Sequence, residues 1–273
     1  MNNNLIDLDN QVGVKTILFP DNQPHVQLLI DVKRGETLDV KCSIIDSIKL
    51  VQLSMVADAI DSIGCKKGTL FIPYLMGARY DRNMVKGDSF DLRVIASLIN
   101  LAGFQSVKIL DPHSDVSAAL IKNSIAVSST PLLHEYEKEN AVLIVPDAGA
   151  AKKVGKYLES APNLKDVVYC IKERNLENGN LQLKVLSPEL CKNRNCVIVD
   201  DICDGGATFL AIANQLPLTK SLTLIVTHGI FSKGFSAFKG VFDNIITTNS
   251  LCRSYDWSSV QSVSALQILK EYE

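Results

Sequence analysis

An excess of charge of either sign is absent from this sequence. Its 28 Lys and Arg residues are balanced by 30 Asp and Glu residues, which gives a net charge of -2 at pH 7. Nucleic-acid-binding domains usually carry a basic excess, so we expect no nucleic acid partner. No apolar run approaches the ~20 residues of a membrane-spanning helix, and the polar opening residues do not resemble a signal peptide. We therefore expect a cytoplasmic protein with no membrane partner.

Closely spaced cysteine pairs are also absent. The seven cysteines form no C-x-x-C pair, and most of them lie in apolar stretches. Cysteine-based zinc and redox sites typically use such pairs. We therefore expect reduced, mostly buried thiols.

What the chain has is a regular alternation of two patterns. Short continuous apolar runs predict buried strands at 69–72, 107–110, 141–145, 167–171, 196–199 and 222–226. Amphipathic stretches predict helices at 47–63, 90–101, 150–158 and 208–216. Such alternation is typical of an α/β protein with a mainly parallel sheet. We place a domain boundary in the region 124–140, with residues 1–125 and 126–273 as the two domains.

The end of one predicted strand carries the clearest chemical pattern. The strand at 196–199 runs into Asp200 and Asp201, then into a turn with consecutive glycines, and then into a helix. In parallel sheets, ligands bind at the carboxyl ends of the strands. Carboxylates can accept hydrogen bonds from sugar hydroxyls, and the N–H groups of a glycine turn before a helix can surround a phosphate. The pattern predicts a sugar-phosphate site.

This stretch resembles the phosphoribosyl-pyrophosphate loop of phosphoribosyltransferases and of ribose-phosphate pyrophosphokinases. Seven further segments resemble the pyrophosphokinase family in the same order along the chain. They are FPDNQPHVQL at 19–28, IPYLMGARYDR at 72–82, DPHSD at 111–115, VPDAGA at 145–150, IKERN at 171–175, and the pair THGIFSKG at 227–234 and TNS at 248–250. The resemblance covers about residues 17–250.

The resemblance implies a fold and a reaction. The fold would be two doubly wound domains of phosphoribosyltransferase type with mainly parallel sheets. The N-terminal domain would bind ATP, the C-terminal domain would bind the ribose phosphate, and the last helix could pack back on the N-terminal domain. The reaction would transfer the β,γ-diphosphoryl group of ATP to the anomeric hydroxyl of ribose 5-phosphate, with Mg²⁺ as cofactor. A homo-oligomer, a dimer or a hexamer, is also implied, because the family's adenine loop usually reaches into a neighbouring subunit.

The resemblance also implies roles for individual residues. Lys172 and Arg174 would be catalytic. His113 and Asp147 would hold the metal. ATP would be bound by Phe19, Asp21, Gln23, Arg79, Tyr80, Asp81, Arg82 and His113. The ribose phosphate would be bound by Asp200, Asp201, Asp204, Gly205, Gly206, Ala207 and Thr208.

Several positions depart from the family pattern. Gln23 stands where the family has Glu, Tyr80 where it has Gln, Gly205 where it usually has Thr, and Ala207 where it has a second Gly. Loss of the threonine hydroxyl removes a phosphate donor and leaves more room. ADP-ribose therefore stays open as a second acceptor, as in phage relatives that make ADP-ribose pyrophosphate for NAD salvage.

Two other functions also stay open. One is a non-catalytic protein associated with the synthetase, which would not need Lys172, Arg174, His113 and Asp147. The other is a plain phosphoribosyltransferase, which would not need the segments on the ATP side.

Overall fold

The computed structural model describes residues 4–174 and 181–271, and the side chains of 172–174 and 181–182 lie outside this description. The described chain divides into two compact units. The N-terminal unit holds residues 4–128, 250–252 and 265–271, and the C-terminal unit holds residues 129–249 and 253–264.

The N-terminal unit is built on a parallel sheet of five strands in the order β1-β4-β5-β6-β7. A separate antiparallel hairpin, β2-β3, contacts helix α1. The elements are β1 (Leu5–Asp7), β2 (Val14–Leu18), β3 (Pro24–Leu28), β4 (Thr37–Lys41), α1 (Ser47–Ser62), β5 (Lys66–Ile72), α2 (Asp91–Ala102), β6 (Ser106–Leu110), α3 (Val116–Leu120) and β7 (Ser124–Val127).

Local signals set the ends of the two long helices of this unit. Helix α1 begins after Asp46, whose carboxylate accepts a hydrogen bond from the Lys49 backbone N–H at 2.8 Å. Helix α2 ends at Gly103, which adopts the left-handed conformation with φ of 71°. Each helix buries one apolar face, exemplified by Leu53 of α1 and Ile99 of α2, in the core of this unit.

The C-terminal unit is built on a sheet of seven strands in the order β10-β9-β8-β11-β12-β13-β14, in which the β10-β9 pair is antiparallel and the other pairs are parallel. The elements are β8 (Ala141–Val145), α4 (Ala148–Ala151), α5 (Val154–Ser160), β9 (Leu164–Arg174), β10 (Leu181–Val185), β11 (Asn195–Cys203), α6 (Ala207–Ala213), β12 (Ser221–Gly229), β13 (Asn244–Thr248) and β14 (Val260–Val263). Strands β8 and β12 are buried along their whole length, as continuous apolar runs predict.

The C-terminal end of the described chain returns to the first unit. Helix α7 (Ala265–Glu271) contacts β6, and its residues Ala265, Ile268 and Leu269 are buried. The N-terminal unit also extends to residue 128, beyond the predicted boundary at 125, because β7 pairs with β6 up to Val127.

The predicted α/β class with mainly parallel sheets is confirmed, but one predicted helix is wrong. The stretch 150–158 forms parts of two helices, α4 and α5, instead of one. The first is started by Asp147, and the chain turns at Lys152 and Lys153 before the second begins. In the described residues, no helix is long and apolar enough to cross a membrane.

Candidate active site

The predicted ribose-phosphate loop lies between β11 and α6. Gly206 is the residue before α6 and has a left-handed φ of 79°. The ring of Phe238 occupies the space beside it, so a β-carbon at Gly206 would lie 2.9 Å from the Cε2 atom of Phe238. Gly205 does not share this conformation. Position 206 therefore requires glycine for two reasons, and position 205 does not require it for its backbone.

Acidic side chains converge at the start of this loop. The Asp200 Oδ1 atom accepts a hydrogen bond from the backbone N–H of Asp201 at 2.9 Å, and Asp201 Oδ1 accepts one from the N–H of Ile202 at 2.9 Å. Burial raises the pKa of Asp200 well above its usual range, and the neighbouring carboxylate of Asp201 and that of Asp147 add to the effect. Asp200 and Asp201 are therefore neighbours at the start of the loop, and Asp147 is near enough to influence the pKa of Asp200.

A segment after β12 holds the loop in place. The backbone N–H groups of Ile230 and Phe231 both donate to the Cys203 carbonyl, at 2.8 and 3.1 Å. The Ser232 hydroxyl donates to Asp204 Oδ1 at 2.6 Å. The side chain of Lys233 lies beside Gly205: a β-carbon at Gly205 would be 3.3 Å from Lys233 Cε and 3.4 Å from its Cδ. The loop is thus bordered by a hydroxyl and a lysine.

Sequence reasoning did not assign Ser232 or Lys233 to the site. The segment 227–234 resembles the family, but it begins 21 residues after Gly206 in the sequence. Its approach to the loop depends on the parallel pairing of β11 with β12, in which Cys203 lies opposite Gly229. The sequence signal that could have found Ser232 and Lys233 is their position just after the end of the next predicted strand, because the ends of neighbouring parallel strands lie at the same edge of a sheet.

An aromatic cluster packs around Phe231, in the segment that follows β12. Ring pairs join Phe231 to Phe235, Phe238 and Tyr255 with centroids 4.8 to 5.7 Å apart. The Tyr255 hydroxyl donates to the Gly229 carbonyl at 2.9 Å. Aromatic pairs at such distances add to the stabilisation that burial provides. The same ring of Phe238 that excludes a side chain at position 206 is therefore fixed by its neighbours.

Asp147, a predicted metal ligand, lies two residues after β8. Its Oδ1 atom accepts hydrogen bonds from the N–H groups of Gly149 and Ala150 at 2.8 and 3.0 Å and so caps α4. It also lines a cavity of about 610 Å³ together with residues of the 148–151 segment and of β9, including Tyr169 and Ile171. Capping fixes the carboxylate at the edge of this cavity.

The predicted catalytic pair lies on the strand that borders the same cavity. Lys172 and Arg174 are at the C-terminal end of β9, where they pair in register with Leu183 and Leu181 of β10. Their side chains lie outside the described part of the structure. Their catalytic role stays a prediction.

The predicted adenine loop is the turn of the β2-β3 hairpin in the N-terminal unit. The Phe19 N–H donates to the Gln23 carbonyl at 2.9 Å, and the Gln23 N–H donates to Asp21 Oδ1 at 3.1 Å. Asn22 has a left-handed φ of 66°, which closes the turn. Asp21 thus shapes the loop, while the Phe19 side chain is 44% exposed at its tip.

The predicted ATP-phosphate segment follows β5. The Tyr80 N–H donates to the Gly77 carbonyl at 2.9 Å, and the Tyr80 side chain is exposed. Arg82 Nε lies 3.5 Å from Asp81 Oδ1, and the Arg82 side chain is 75% exposed. Such an exposed ion pair contributes little to stability, so the guanidinium is available to a ligand at little cost.

The predicted histidine loop follows β6. Asp111 is buried, has a left-handed φ of 39°, and donates its N–H to the Val127 carbonyl at 2.8 Å. His113 is exposed. The hydroxyl of the adjacent Ser114 is buried and has no hydrogen-bond partner in the described residues.

Of the two predicted metal ligands, His113 lies in the N-terminal unit and Asp147 in the C-terminal unit. Among residues 4–174 and 181–271, no group of three or more His, Cys, Asp or Glu side chains is placed to hold a metal ion.

The fold is that of an α/β protein, and the loop after β11 has the strand-turn-helix form that the sequence predicts for a sugar-phosphate site. No protein-family model matches the chain. The chain is similar to the ribose-phosphate pyrophosphokinase of Saccharolobus solfataricus, with 26% identity over 232 residues, which cover 80% of this chain and 76% of that one. It is 28% identical over 225 residues to that of Aquifex aeolicus, covering 78% and 70% of the two chains. It is 23% identical over 265 residues to that of Aeropyrum pernix, covering 90% and 84%.

The fold has a match among solved structures. The crystal structure of phosphoribosylpyrophosphate synthetase from Mycobacterium smegmatis matches with a TM-score of 0.78 and 20% identity over 93% of this chain and 88% of that one. This match confirms the fold class. The sequence matches confirm the resemblance to the ribose-phosphate pyrophosphokinase family, whose members are diphosphotransferase enzymes.

Proposed function

We propose that this protein transfers the β,γ-diphosphoryl group of ATP to the anomeric hydroxyl of a 5'-phosphorylated ribose. The observation that carries the proposal is the loop from Asp200 to Gly206, which combines the half-buried carboxylate of Asp200 and the buried carboxylate of Asp201 with a glycine turn at a strand end. The similarity of most of the chain to ribose-phosphate pyrophosphokinases supports the same reaction.

In this reaction the anomeric oxygen attacks the β-phosphorus of ATP. The bond from that phosphorus to the oxygen on the α-phosphate breaks, AMP leaves, and the hydroxyl proton is released. Such transfers depend on positioning and on stabilisation of charge rather than on a covalent intermediate. We assign Asp200 and Asp201 to the ribose hydroxyls and the turn 204–208 to the 5'-phosphate.

On the ATP side, we assign Phe19, Asp21 and Gln23 to the base and Arg79, Tyr80, Asp81 and Arg82 to the phosphates. The exposed guanidinium of Arg82 supports this assignment. Lys172 and Arg174 would stabilise the charge that develops on the transferred group.

Mg²⁺ is the cofactor in this proposal. Mg²⁺ prefers oxygen ligands and is usually held by one or two carboxylates together with substrate phosphates. The carboxylates near Asp147 fit this donor chemistry, because burial and, after it, the like charges of Asp201 and Asp147 raise the pKa of Asp200, and a cation would relieve that repulsion. His113 is the residue proposed to complete the site. Bound Mg²⁺ would neutralise charge on the ATP phosphates.

A homo-oligomer is also part of the proposal. Four apolar side chains on and around the β2-β3 hairpin are largely exposed: Val12 at 57%, Leu18 at 51%, Phe19 at 44% and Leu29 at 59%. Light scattering on the purified protein would distinguish a monomer from a dimer or a hexamer.

The central test is to mix the protein with ATP, Mg²⁺ and either ribose 5-phosphate or ADP-ribose. We expect AMP release and a product heavier than the acceptor by one diphosphate. If no AMP is released with either acceptor, the protein is not a diphosphotransferase of this kind, and a regulatory role is favoured.

The catalytic pair can be tested separately. Lys172→Ala and Arg174→Ala should lower kcat with little change in KM, since charge stabilisation is needed mainly in the transition state. Lys165→Ala is the matched control, because Lys165 is an exposed lysine at the other end of β9. A loss confined to KM would instead make the pair ground-state anchors.

A further inference from the structure

The pairing of Gly205 with Lys233 is a feature of the loop that the proposed function does not explain. Gly205 is not in a left-handed conformation, so its backbone tolerates other residues. The space a side chain would need there is bordered by the Lys233 stem, with Cε, Cδ and Cγ at 3.3, 3.4 and 3.8 Å from the position of a β-carbon. The missing side chain at 205 therefore makes room for a lysine.

Lys233 is held beside the loop by its neighbours in sequence. Backbone hydrogen bonds from Ile230 and Phe231 to Cys203, and the bond from Ser232 to Asp204, fix the segment that precedes it. Gly234 follows with a left-handed φ of 67° and turns the chain away. The approach of the lysine to Gly205 is thus built into the fold of this unit.

The chemistry of the lysine is suited to a second phosphate group. Its side chain is exposed, and its ammonium group is one bond beyond the Cε atom that lies near Gly205. An ammonium group is a compact charge that binds phosphate oxygens. A ribose 5-phosphate has a single phosphate, which the loop itself would hold. An acceptor with a 5'-diphosphate has another phosphate just beyond the loop.

We propose that Lys233 is a specificity-determining residue that favours acceptors carrying a 5'-diphosphate ester over ribose 5-phosphate. This inference rests on the proposed function, because it assumes that the loop binds the 5'-phosphate of the acceptor. The glycine at 205 serves the same selection by leaving the lysine space beside the ligand.

The test compares Lys233→Met, which keeps an apolar stem and removes the charge, with Lys220→Met. Lys220 is an exposed lysine next to the opposite end of β12. The measurements are kcat/KM with ATP and Mg²⁺ for ADP-ribose and for ribose 5-phosphate, and the Kd of each acceptor by calorimetry without ATP.

We expect Lys233→Met to lower the ratio of the two kcat/KM values, ADP-ribose over ribose 5-phosphate, by about tenfold, in line with the loss of one charged hydrogen bond. The Kd of ADP-ribose should rise by a similar factor and that of ribose 5-phosphate should change little. Lys233→Arg should keep the ratio within about threefold of that of the unaltered protein, because the charge is retained. Lys220→Met should leave both acceptors unchanged.

The opposite results separate the two proposals. An unchanged ratio in Lys233→Met, or an equal loss with both acceptors, would overturn the role of Lys233 and leave the diphosphotransferase proposal standing. If the unaltered protein neither binds nor uses either acceptor, the proposed function and this inference fail together.

Discussion

Acidic side chains lie at the carboxyl ends of parallel strands in both units, but their surroundings differ. In the N-terminal unit, Lys41 lies between two carboxylates, 3.1 Å from Asp7 and 3.0 Å from Asp9, and all three side chains are at most 9% exposed. Asp9 also accepts hydrogen bonds from the N–H and hydroxyl of Ser43 at 3.0 and 2.9 Å. In this cluster, each buried carboxylate is therefore paired with the ammonium group of Lys41.

In the C-terminal unit, the main influences on Asp200 are burial and the carboxylates of Asp201 and Asp147. Like charges that are held together in a buried place raise the free energy of the folded protein. Such arrangements are concentrated at functional sites, where a ligand supplies the missing opposite charge. The comparison indicates that the acidic cluster of the first unit is structural, and it supports the proposed role of Asp200 in ligand binding.

The largest expected effect comes from breaking the balanced cluster. Lys41→Met would leave Asp7 buried without its cation and Asp9 with only Lys49, 3.8 Å away, and we expect the free energy of unfolding to fall by about 3–5 kcal/mol. Equilibrium unfolding in urea measures the loss. Lys15→Met, at an exposed position of β2, is the control and should have almost no effect. A loss below about 1 kcal/mol for Lys41→Met would contradict a structural role for the cluster.

The next effect concerns the loop beside Asp200. Gly206→Ala should reduce the free energy of unfolding by about 3 kcal/mol, because alanine is strained at positive φ and its β-carbon would meet the ring of Phe238. Gly205→Ala should cost less than about 1 kcal/mol, since only the flexible stem of Lys233 must move. Both losses are measured by urea unfolding. Equal losses would show that the Phe238 ring does not restrict position 206 to glycine.

A smaller effect of opposite sign is expected at Asp200. Asp200→Asn keeps an oxygen to accept from the Asp201 N–H and removes one of the like charges. We expect the free energy of unfolding at pH 7 to rise by about 1 kcal/mol while transfer activity falls. Thermal unfolding at pH 7 measures the change in stability. Asp256→Asn, at an exposed position, is the control and should have almost no effect. If Asp200→Asn instead lowers the free energy of unfolding, the charge of Asp200 is compensated within the folded protein, as the charges of Asp7 and Asp9 are by Lys41.

The smallest effect is the pH dependence of the balanced cluster. Burial opposes ionisation of both Asp7 and Lys41, but the hydrogen bond from Asn10 and the charge of Lys41 lower the pKa of Asp7, and Asp9 and Asp7 raise the pKa of Lys41. The Asp7 contribution is present above about pH 4 and is lost as the pH falls further. The Lys41 contribution is present below about pH 10 and is lost as the pH rises further.

We therefore expect the difference in unfolding free energy between the unaltered protein and Lys41→Met to be constant from about pH 5 to pH 9 and to shrink outside that range. Urea unfolding at a series of pH values measures it. A difference that changes steadily across the neutral range would point to another titrating group.

Much of the fold follows from local patterns. All six strands predicted from apolar runs are present, and the run at 141–145 coincides with β8, because a strand buried on both faces must be apolar throughout. The other eight strands were not predicted: β1, β2, β3, β4, β7, β10, β13 and β14. Polar residues interrupt or border their short apolar stretches, so no apolar run of four or more residues marks them.

The candidate site divides in the same way. Asp200, Asp201 and Gly206 stand in one segment, and their strand-turn-helix pattern can be recognised from sequence because neighbouring residues along the chain build it. Ser232, Lys233 and Phe238 reach the loop because β12 pairs beside β11. The sequence by itself determined the α/β class and the phosphate-loop motif, since both depend on the order of residues over short distances. The tertiary structure alone decided that a lysine lies beside Gly205 and a phenyl ring beside Gly206, because strand pairing and packing bring distant residues into contact.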